Sequence, residues 1–109
     1  MANNYKNAKV DLTGTGATVL YTAPNATTTL IKSLLVSEDS GNADTITVTI
    51  TDAASSPATF SLFKVKAVGA NATVELLTQP LVVQEDEIIK VTAATGNRLH
   101  VVASLLEIS

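Results

Sequence analysis

The chain has no cysteine and no tryptophan, and only one histidine and one methionine. Without cysteine there can be no disulfide framework and no thiolate metal centre. Aromatic residues make up 4% of the 109 residues, so a core must come from Val, Ile, Leu and Ala. Sugar platforms, which favour Trp and Tyr, have little to build on. Charged residues make up only 16%, and the net charge is −3. The seven basic residues are scattered, with no basic stripe interleaved with aromatics, which argues against a nucleic-acid binder. No run approaches the roughly 18 apolar residues of a membrane helix, so no membrane partner is expected. The first eight residues lack the apolar stretch of a signal peptide, and none is expected.

What is present is aliphatic and β-branched. Hydrophobic residues reach 46%, enough for one buried core, and threonine is abundant beside Val and Ile, the set that favours strands. The clearest signal is Thr45-Ile46-Thr47-Val48-Thr49-Ile50-Thr51, where period two sets Ile46, Val48 and Ile50 on one face and threonines on the other. Further strands are predicted over residues 9–13, 17–22, 29–37, 58–67, 72–78, 81–84, 87–93 and 98–108. Turn residues recur about every ten positions, as in a sandwich or barrel. The predicted fold is all-β, a single antiparallel β-sandwich of jelly-roll type over residues 9–109. Residues 1–8, polar and Asn-rich, read as a flexible N-terminal arm that orders on a partner.

Two strands are apolar on both faces. In the last, Leu99, Val101, Ala103 and Leu105 share one face and Val102, Leu106 and Ile108 the other; residues 30–36 behave alike. A two-layer domain buries one face of each sheet, so the second face needs a cover. The predicted interface residues are Tyr5, Lys6, Leu30, Leu34, Val36, Val102, Leu106 and Ile108, with a homo-oligomer or another protein as the cover; the alternative is that loops, the N-terminal arm or strand curvature cover the face.

No pattern of catalysis emerges. His100 has no Ser or Asp at a diagnostic spacing, and a structural or surface role is expected. Glu85-Asp86-Glu87 reads as a solvated turn, and Gly14-Thr15-Gly16 as a bend lacking the further glycine and helix of a phosphate cradle. The segment from Glu38 to Asp44 is rich in oxygen ligands but does not match an EF-hand loop. The triplets Asn25-Ala26-Thr27 and Asn71-Ala72-Thr73 match the glycosylation sequon and are read as turns. No catalytic residue, metal or cofactor is expected, and the chain is read as non-enzymatic.

One resemblance extends this. The run from Leu20 to Ser37, opening Leu20-Tyr21-Thr22-Ala23-Pro24 and continuing Thr27-Thr28-Thr29, resembles a segment of small structural proteins of tailed bacteriophages, cyanophages among them. The stretch from Ser40 to Asp52 resembles the loop and strand that follow there. Pro80-Leu81-Val82-Val83-Gln84 stands where those proteins have PLVLEAGD, and Leu105-Leu106-Glu107-Ile108 closes like their SYLEI. The resemblance spans residues 17–108. It departs in the acidic turn, where Glu85 or Asp86 replaces the usual glycine. It implies a virion component with a β-sandwich or jelly-roll fold, assembled in the host cytoplasm. The implied role is a capsid decoration (cement) protein, a homo-oligomer and by implication a trimer, bound to the major capsid protein or other virion proteins. The alternatives are a neck, tail or baseplate module, or a host- or carbohydrate-binding sandwich.

Overall fold

The computed structural model describes residues 3–109. The strands are β1 (Asn3–Leu12), β2 (Thr18–Thr22), β3 (Thr28–Glu38), β4 (Asp44–Thr51), β5 (Thr59–Val68), β6 (Thr73–Glu75), β7 (Leu81–Val83), β8 (Ile88–Ala93) and β9 (Leu99–Ile108). They form two antiparallel sheets. The first has the order β1-β9-β3-β6, with β7 also on β3; the second has the order β2-β8-β4-β5. The chain is a long antiparallel ribbon closed at the β4–β5 hairpin, with β3 against β6 and β7, β2 against β8, and β1 against β9. Folded over itself, this ribbon adds the β3–β9 and β4–β8 pairings and gives the double-sheet jelly-roll order.

Period two accounts for the core. Ile46 and Val48 are fully buried, as are Ile89 and Val91 beside them on β8. From the other sheet Leu99, Val101, Ala103 and Leu105 meet them, with Ile31, Leu34 and Val36. Fully burying a side chain of this kind stabilises by about 1.5–3 kcal/mol.

Two expectations need correction. Residues 3–8 are not an arm. They are the first half of β1, paired residue for residue with β9 from Asn3↔Ile108 to Ala8↔Ala103. The exposed side chains of Asn3 to Asn7 carry no apolar alternation, because this strand is held by main-chain hydrogen bonds to β9. The described sandwich thus begins at Asn3; residues 1 and 2 of the predicted arm lie outside the described residues. Secondly, Leu34 and Val36 belong to the core, both at 0% exposure, and cannot form an outer surface. The β3–β9 register shifts between Ile31 and Ser33, a bulge that exchanges the faces of β3 midway. Ile31 points inward before it and Leu34 and Val36 after it, so the outward residues are Leu30 and Leu35.

The bulge is pinned from the neighbouring strand. The Glu75 carboxylate accepts the Leu34 N–H at 2.7 Å, the Leu77 N–H at 3.2 Å and the Ser33 hydroxyl. Burial pushes this carboxyl upward, but the three donors outweigh it and hold it below the usual range.

Candidate functional site

With the register fixed, the outer face of the first sheet can be read row by row. One row runs Tyr5, Leu106, Leu30 and Val82 across β1, β9, β3 and β7. Another runs Lys9, Val102, Leu35 and Glu75. Tyr5 is 75% exposed and Val82 50%, whereas Leu30, Leu106 and Ile108 are half-buried by their neighbours on the same face. The Lys32 ammonium lies 5.7 Å from the Tyr5 ring centroid, so a cation sits over the most exposed aromatic. The sheet therefore presents two apolar rows, separated by the polar row Asn7, Ser104 and Ser33, with Lys32 beside the first and Lys9 and Glu75 at the ends of the second.

Five of the eight predicted interface residues, Tyr5, Leu30, Val102, Leu106 and Ile108, lie on this face. Lys6 does not. It faces inward, and its ammonium lies 3.0 Å from Glu107 at the end of the sandwich. Sequence reasoning missed Leu35, Val82 and Lys32. A bulge moved the first, and the second sits on a three-residue strand too short to show a period.

At one end of the face His100 lies between two carboxylates. Its Nε2 is 3.2 Å from Asp11 and its Nδ1 3.4 Å from Asp39. No sequence spacing could reveal this, because β1, β9 and the β3–β4 loop supply one residue each. With a carboxylate at each ring nitrogen, the imidazole is engaged on both sides, and Ser37 stands opposite it on β3. The two nitrogens point in opposite directions, so the trio cannot converge on one ion. Among the described residues no group of three or more His, Cys, Asp or Glu is placed to hold a metal.

Most of the remaining acidic residues hold main chain. Glu38, 2% exposed, accepts the N–H groups of Ser40 at 2.7 Å, Gly41 at 3.0 Å and Asn71 at 2.9 Å, and the Ser40 hydroxyl. Burial would raise its pKa, yet these donors prevail and bring it down to about 2. Asp44 accepts the Thr95 N–H at 3.0 Å. Two acids of the oxygen-rich loop therefore hold main chain. In the acidic turn Glu85 accepts the Ala26 N–H at 2.7 Å and Glu87 the Gln84 N–H at 2.7 Å. Asp86 adopts φ 64°, the left-handed region that favours glycine.

A last polar group lies between the sheets. The Tyr21 hydroxyl donates to Glu107 at 2.5 Å and lies 2.8 Å from the Thr29 hydroxyl. Burial, with the carboxylate beside it, raises Tyr21 to about 12. The same hydrogen bond, helped by Lys6, overcomes burial and lowers Glu107. Both groups are driven away from neutrality, the reverse of what proton transfer at pH 7 requires. This cluster joins the two layers.

A comparison with protein-family models gives no match, and neither does one with curated proteins.

Proposed function

We propose that this chain is a non-enzymatic structural protein of a tailed-phage particle, a decoration protein that docks on the capsid lattice in several copies through the outer face of its first sheet. The observation that carries the reading is the band formed by Tyr5, Leu106, Leu30 and Val82, which crosses four strands without interruption. Apolar surface of this continuity marks an interaction site more often than idle surface. The resemblance to phage structural proteins supplies the context. The jelly-roll order suits it, since that architecture recurs in viral capsid domains, although lectins and cupins share it. The mechanism is mechanical: repeated modest contacts on a lattice sum to firm attachment.

The test is antibody labelling of purified particles with co-sedimentation of added protein. Label distributed over the head, and loss of co-sedimentation in a folded Leu30→Asp/Leu106→Asp variant, are the expected results. Label confined to the neck or tail moves the protein to the alternative site, and absence from the particle overturns the reading.

A further inference from the structure

Among the described residues β1 is an edge strand, with β9 on one side and no strand on the other. The Leu12 carbonyl accepts the Asn97 N–H at 2.8 Å, and Asn97 lies in the turn that leads into β9. Main-chain groups alternate sides along an antiparallel strand, so those of Asn3, Tyr5, Asn7, Lys9 and Asp11 face the open side, where the Asp11 carbonyl also accepts the Thr13 N–H at 3.0 Å. A long strand with an open row of donors and acceptors is a template for another strand.

The side chains say which strand fits. Over residues 8–12 the inward set is Ala8, Val10 and Leu12, all apolar, and the outward set is Lys9 and Asp11, opposite in charge. Antiparallel partners share a face, so a two-fold axis perpendicular to the sheet keeps inward residues against inward ones. About Lys9, such an axis would set Lys9 against itself. About Ala8 it would set Lys6 against Val10, and about Asn7 it would set Asn4 against Val10. An axis through Asp11 opposes Asp11 to itself. An axis through Val10 pairs Lys9 of each copy with Asp11 of the other, sets Ala8 against Leu12 twice, and stacks Val10 on Val10. Both ionic side chains are accessible: Lys9 is exposed, and the Asp11 side chain is 61% exposed with His100 as its neighbour.

We infer that two copies of this chain join β1 to β1, antiparallel about Val10, and fuse their first sheets into one continuous sheet. The contact closes at two copies, in place of the trimer that the phage resemblance implies. It uses the sheet edge and leaves both outer faces free, so it does not rest on the docking role proposed above.

Sedimentation equilibrium over a concentration series tests this. The wild type should follow a monomer–dimer equilibrium. Lys9→Asp and Asp11→Lys should each weaken the dimer about tenfold or more in Kd, since each converts both cross-strand pairs to like charges. Mixing the two single variants should restore dimers, because every pair across that heterodimer is again attractive. The Lys9→Asp/Asp11→Lys double variant should dimerise close to the wild type. The inference is overturned by a monomeric or trimeric wild type, by single variants that dimerise unchanged, or by a mixture and a double variant that both stay monomeric. Failure of particle docking with dimerisation intact would count against the docking role alone.

Discussion

The two faces of the first sheet differ more in rigidity of specification than in hydrophobicity. On β9 the inward residues Leu99, Val101, Ala103 and Leu105 are at most 1% exposed, while Val102 on the outward side is 37% exposed. The inward set is wholly aliphatic, and the outward set adds His100 and Ser104 to Val102, Leu106 and Ile108. The inner set is enclosed by a second sheet, so each methyl group has neighbours on all sides. The outer set packs only against flanking side chains and keeps one side open. Aliphatic residues thus carry stability on the inner face, while on the outer face they supply the surface proposed above for docking.

Truncations across the sheet should break this comparison most visibly. Leu34→Ala removes a fully buried side chain and should cost about 2–5 kcal/mol, read from denaturant melts. Its outward counterpart Leu30→Ser should shift stability by less than about 1 kcal/mol and show its effect in particle co-sedimentation. Equal losses from the two would mean that the outer face is covered within the chain. Between them stands Tyr21→Phe, which strips the 2.5 Å hydrogen bond from nearly buried Glu107 and should cost about 1–3 kcal/mol.

Acid sharpens the comparison, because the lowered carboxyls of Glu38, Glu75 and Glu107 all serve the fold. Their folded pKa values lie below the unfolded reference of 4.5, so their stabilisation is complete above that pH. It is lost as pH falls, toward about 2 for Glu38. The melting temperature should therefore decline between pH 4.5 and 2, and Glu38→Gln should flatten that slope while lowering stability at pH 7. A slope unchanged in Glu38→Gln would show that other groups govern the acid limb. The smallest effect expected is a gain: Asp86→Gly, at φ 64°, should stabilise by about 0.5–1 kcal/mol, and a thermal melt decides it.

Nine strands were legible from alternation and turn residues, with Thr45 to Thr51 the plainest. Less of the candidate surface was. Leu34 and Val36 were assigned outward because period two assumes an unbroken pleat, and a bulge is invisible to a periodicity argument. The first half of β1 was missed because its first five described side chains are exposed; what orders them is the edge of β9, a partner about a hundred residues away. The surroundings of His100 were hidden for the same reason. In each case the missing information was register, which depends on pairing rather than on local pattern.

The ribbon architecture has a consequence for biosynthesis. β1 pairs with β9, so Asn3 waits for Ile108 before it has a partner. At ~5–20 residues per second of translation that delay is on the order of ten seconds. The β4–β5 hairpin can close first, and the pairings of β3 with β6 and β7 follow before β9 emerges. During the interval aliphatic segments such as Leu30 to Val36 emerge without their second sheet, and non-local pairing of this kind is slow even once the chain is free. Yield in a cell should therefore respond to chaperone supply and growth temperature more steeply than equilibrium stability would suggest.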